Sequence, residues 1–79
     1  MKIRIVTGDC WEGMYIDGQL VTEGHSVTAF DALSIVQSYQ EIHCKMTVEE
    51  VVITIADQDW LEDRGGLPDR LDHVKEAVL

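Results

Sequence analysis

The acids Asp57, Asp59, Glu62 and Asp63 are the residues whose types and spacing come nearest to chemistry. They follow an apolar run, where α/β proteins often place metal-binding carboxylates, and Asp57-x-Asp59 opens like a calcium loop. The match then fails. Its fifth position is Leu61, its sixth is Glu62 where glycine belongs, and its twelfth is Pro68 where a bidentate glutamate belongs. We read a solvated acidic turn, with no metal ligands and no cofactor implied. A hydrolase or metal-dependent nuclease on Asp57, Asp59 and Glu62 stands last of three functional readings.

Nucleophile and phosphate chemistry find equally little support. Of the histidines, His43 adjoins Cys44, but sequence neighbours point apart on a helix or strand. Cys10 with His25 is the better pair, because a hairpin between them brings their segments together, although a packed thiol and a solvated histidine is the plainer reading. The two cysteines form no CxxC, and neither GxGxxG nor GxxxxGK[ST] occurs. A nucleotide could still stack on Trp60 and place phosphate against Arg64 and the Gly65-Gly66 amides, with Lys2 and Arg4 contributing charge. Against this, Trp60 and Leu61 read as a plug tying the C-terminal segment to the core. Trp11, Tyr15, Leu20 and Trp60 are the candidate anchors of a protein interface, where aromatic side chains are enriched.

The elements that must position these residues are legible. Lys2 to Thr7 alternates, setting Ile3 and Ile5 on one face and Lys2, Arg4 and Val6 on the other. Runs at Gly13 to Ile16 and Gln19 to Thr22 flank Asp17-Gly18, a pair preferred in two-residue type I′ turns. That predicts a hairpin with Met14 opposite Val21, Tyr15 and Leu20 on one face, and Met14, Ile16 and Val21 on the other. Thr28 with Asp31 predicts an N-cap, and Ala29, Ala32, Ile35, Val36, Tyr39 and Ile42 recur at helical spacing to Ile42. Val51 to Ala56 reads as a strand with little exposed face, a candidate for a central place, although the sequence does not fix its order in the sheet. Pro68 opens a short C-terminal helix with the stripe Leu67, Leu71, Val74 and Val78. The expected fold is α+β in two layers: an antiparallel meander with a hairpin at Asp17-Gly18, a fourth strand, one main helix and a short C-terminal helix. Residues 1–79 form a single domain.

Six Lys+Arg against fifteen Asp+Glu give a formal charge of −9, which repels nucleic acid and anionic membranes. It suits solubility, or a face that meets a basic protein surface. The opening MKIRIVTG has no apolar stretch of signal-peptide length and no run approaches a membrane span, so a cytoplasmic setting with free thiols is expected. A chain of 79 residues buries too little surface for comfortable stability, and one helix covers only one side of a sheet. We expect a homo-oligomer: the stripe Leu67, Leu71, Val74 and Val78 is the candidate cover for the second sheet face within the chain, and a second subunit over Tyr15 and Leu20 is the simpler one.

Trp11 to Ser26, WEGMYIDGQLVTEGHS, followed by a helix and later by Leu67-Pro68, resembles a group of small uncharacterised proteins encoded by bacteriophages and prophages. Their W-E-G-x-Y-x-D-G-x-L-x-x-E-G-H-S run also precedes a helix. The resemblance implies a phage accessory gene acting in the bacterial cytoplasm, and brings no catalytic residue with it. By analogy with small acidic phage proteins, the first functional reading is a non-catalytic protein that binds and inhibits a host factor, including one of anti-phage defence. The second is an oligomeric sponge for a small nucleotide signal, gathering Lys2, Arg4, Lys45, Arg64 or Arg70 where subunits meet.

Overall fold

The computed structural model describes residues 1–42 and 47–77. Its elements are β1 (Lys2–Thr7), β2 (Glu12–Ile16), β3 (Gln19–Gly24), α1 (Ala29–Ile42), β4 (Glu50–Ile55) and α2 (Gln58–Arg64), followed by a 3-10 turn at Leu71–His73. The strands make one mixed, mostly antiparallel sheet in the order β3-β2-β1-β4, with one main helix and a short second helix. This is the α+β architecture expected from the sequence.

The hairpin forms where Asp17-Gly18 demands it. Asp17 has φ 49° and Gly18 φ 83°, the double positive φ of a type I′ turn. The Asp17 carboxylate also accepts a bond from the Lys2 backbone N–H at 2.8 Å, tying the turn to the start of β1. Pairing slips by one residue beyond the turn: Tyr15 faces Leu20, but Met14 faces Thr22 and not Val21, with the irregularity between Met14 and Tyr15. Val21 is the extra residue of a bulge. It stays on the Met14 side, so the two faces are populated as the alternation predicts.

On the first face, Ala32, Ile35, Val36 and Tyr39 of α1 pack over Met1, Ile3, Met14 and Ile16. Met14 and Ile16 are almost wholly buried, each contributing about 1.5–3 kcal/mol of apolar transfer energy. The start of α1 is closed as expected: Asp31 N–H donates to Thr28 Oγ1 at 3.1 Å and Thr28 N–H donates to Asp31 Oδ2 at 3.2 Å.

The second face holds Val6, Tyr15 and Ala56 with Leu61 and Leu67, flanked by Trp11, Leu20, Trp60, Leu71 and Val74. Its cover is the chain's own C-terminal segment, the first of the two covers weighed, so the expectation that a second subunit covers Tyr15 and Leu20 is corrected here. The segment lies extended across the sheet because its backbone bonds outward: Leu20 N–H donates to Asp69 O at 2.8 Å and Leu71 N–H donates to Gly18 O at 2.9 Å. Those bonds compete with helix formation after Pro68, leaving only the 3-10 turn among the described residues, while the full helical turns fall earlier, in α2. Gly13 permits the close approach, since a Cβ there would stand 2.2 Å from Leu67 Cδ1. Val78 lies outside the described residues.

β4 is an edge strand, not a central one. It runs parallel to β1, as the crossover through α1 requires, and α1 covers β3, β2 and β1 but stops short of it. Val51, Ile53 and Ile55 consequently stand 61%, 70% and 51% exposed on the helix side.

Candidate interaction surface

Trp11, the first of the expected anchors, sits in the loop between β1 and β2, which reverses direction at Gly8 through a Gly8 N–H bond to Trp11 O at 2.8 Å. Trp11 is half-buried. Its indole N–H donates to Glu23 Oε1 at 3.1 Å, and the His25 ring meets it edge to face at 5.3 Å and 77°. These contacts fix the ring at the rim of the sheet.

Opposite stands α2. Asp57 caps it by accepting from Trp60 N–H at 2.9 Å, and Gly65 ends it at φ 76° with an N–H bond to Leu61 O at 3.0 Å. Gln58, Leu61, Glu62 and Gly65 share one helical face by their three- and four-residue spacing. With Cys10, Trp11, His25 and Gly66 they wall an open cleft of about 240 Å³. Gln58 ties the walls together, accepting from Asp9 N–H at 2.9 Å and donating to Glu62 Oε1 at 3.0 Å.

The elements forming this cleft carry Asp9, Glu12, Glu23, Asp59, Glu62 and Asp63, against Arg64 and the His25 imidazole in the wall. An apolar hollow with a fixed indole at its rim, set in a negative field, suits a cationic or basic partner group. Cys10 and His25 both line this cleft, and the Cys10 thiol is free and exposed.

The other expected site residues divide differently. Tyr15 has no exposed surface; its hydroxyl donates to Pro68 O, and burial with the nearby Glu23 carboxylate pushes its pKa up to about 12. It is a core residue with nothing to present to a partner. Leu20 and Trp60 are half-buried against the same core, and Trp60 lies on the side of α2 away from the cleft, with the Arg64 guanidinium 5.9 Å from its ring centre. Trp11 alone of the four stands at an open hollow.

The residues expected to hold a nucleotide do not converge within one chain. Lys2 lies at the start of β1, against Asp17, Gly18 and Glu50, whereas Gly65 and Gly66 lie beyond its far end, roughly 17 Å away for a six-residue strand. Arg4 is committed to Thr54 Oγ1 at 2.8 Å and to Glu50 and Glu76 at 4.0 and 3.9 Å. Of the acids weighed as metal ligands, Asp57 also pairs with Lys75 at 3.7 Å, and among the described residues no three His, Cys, Asp or Glu side chains gather as a metal site. His43, Cys44 and Lys45 lie outside the described residues.

A second exposed feature had no place among the expected sites. Phe30 and Leu33 of α1 stand 78% and 65% exposed, and Leu33 lines a groove with Val48 and Val51. The signal was the i, i+2, i+4 run of Val51, Ile53 and Ile55, which alternation marks as one face. No helix among the described residues is long and apolar enough to cross a membrane. The chain matches no known family model, no curated protein and no solved structure.

Proposed function

We propose that the chain is a small, non-catalytic binding protein of bacteriophage type that inhibits a host factor in the bacterial cytoplasm by docking stoichiometrically on it. Phage anti-defence is the setting this reading favours, through the resemblance over Trp11 to Ser26. The observation that carries the docking is the cleft between the β1–β2 loop and α2, where Trp11 is held by Glu23 and His25 among surrounding acids. A half-exposed indole held in place loses little entropy on binding, and the negative field steers a basic surface toward it. Trp11 is the anchor and Glu62 the acid best placed to meet a partner's Lys or Arg.

The test is retention of a bacterial protein on the immobilised chain at low salt, with Trp11→Ala and Glu62→Lys beside it. A tryptophan hot spot of about 2 kcal/mol predicts roughly thirtyfold weaker retention for Trp11→Ala with the fold intact. Raising the salt releases the partner. Retention of nothing at low salt, or retention by both variants equal to that of the wild type, removes the reading.

A further inference from the structure

The cleft at α2 uses neither the uncovered face of β4 nor the outer side of α1. There Leu33, Val48 and Val51 line one groove, Ile53 and Ile55 continue the same strand face by alternation, and Phe30 stands one helical turn from Leu33 on the outer side of α1, each of them exposed. Summed residue by residue, their exposed area comes to roughly 700 Å², close to the ~800 Å² per partner of a standard stable interface. Between α1 and β4 the surface dips into an open groove of about 240 Å³ floored by Ile3, Ile5 and Met14.

Charge tells what covers it. The patch itself contains none, and acids beside it are engaged within the chain, Glu76 with Arg4 among them. The Glu50 carboxylate reaches Arg4 on the opposite side of the sheet, and Asp31 caps α1. A basic partner would find little to pair with here, whereas an identical apolar surface meets it without burying an unpaired charge. Simple sheet extension is restricted, because Asp57 N–H donates to Lys75 O and Ala77 N–H donates to Ile55 O, both at 2.8 Å, closing the upper part of the β4 edge. We infer that the face of α1 and β4 is the interface of a twofold homodimer, with a second copy packing the same surface face to face. The inference is independent of the host-binding reading and shares no residue with its cleft.

The experiment is light scattering and sedimentation of the full chain over the micromolar range. The expected mass is twice 8.9 kDa. Ile53→Glu and Leu33→Glu, at positions already in solvent in one copy, should give monomers with unchanged circular dichroism, weakening association by roughly a hundredfold. Ile53→Ala, which keeps the strand apolar, weakens it by a smaller factor and serves if a glutamate variant misfolds. Added salt tightens the dimer by screening two like-charged copies, the reverse of its effect on a host complex. A monomeric wild type overturns the inference, as does a dimer that Ile53→Glu, Leu33→Glu and Ile53→Ala all leave unchanged. A monomer that loses its host partner through Ile53→Glu also overturns it and assigns the face to that partner.

Discussion

Replacing Tyr15 by phenylalanine removes one oxygen from the centre of the second core. In the wild type that hydroxyl donates to the Pro68 carbonyl, with no part of Tyr15 reaching solvent. Phenylalanine keeps the ring packing but strands the carbonyl, so Tyr15→Phe should cost about 1–3 kcal/mol at neutral pH. The same burial gives a second signature. Tyr15 ionises near 12 in the folded chain against 10 for a free tyrosine, so the folded state favours the protonated form. The resulting stability is fully present below pH 10 and is lost as the pH rises from 10 towards 12. Between pH 9 and 11 the loss from this group amounts to about 1.4 kcal/mol. Urea unfolding of both proteins at pH 7, 9 and 11 measures it. The gap between wild type and Tyr15→Phe should be nearly constant from pH 7 to 9 and narrow by roughly that amount at pH 11. A gap independent of pH, or no gap at pH 7, would refute the claim that the C-terminal segment is locked onto the sheet through Tyr15.

Gly18→Ala and Gly13→Ala separate two uses of glycine. At Gly18 the space is open and only the positive φ resists, so a loss of about 1 kcal/mol is expected; at Gly13 the new methyl strikes Leu67, and chemical denaturation should show a larger loss. Thr28→Ala removes the side-chain acceptor of Asp31 N–H and should lower stability by about 1 kcal/mol, read from the denaturation midpoint with an unchanged slope.

What the sequence disclosed was local. Asp17-Gly18 specifies its turn by two backbone angles, Thr28 and Asp31 cap α1 across one helical turn, and strand alternation assigned Tyr15 and Leu20 to one face and Met14 and Ile16 to the other. Each depends on residues a few positions apart. What it hid was long-range. The place of β4 at the edge follows from where the α1 crossover lands, which the apolar run Val51 to Ala56 cannot encode, since buried and edge strands can share a composition. The fate of Tyr15 turned on residues 67–71 lying across it, more than fifty positions away in sequence. Extended backbone there was masked by Pro68 and a helical stripe that serves equally well along a flat segment. The cleft joins Trp11 to Gln58 and Glu62, and no sequence signal pairs those segments; Trp11 itself stood out by type.

Calorimetric titration of the retained host protein with the chain and with Trp11→Ala, at low and at high salt, tests host docking most directly. The account predicts one partner site per chain, affinity that falls as salt rises, and roughly thirtyfold weaker binding for Trp11→Ala. Equal affinity of the two proteins at both salt concentrations would contradict it.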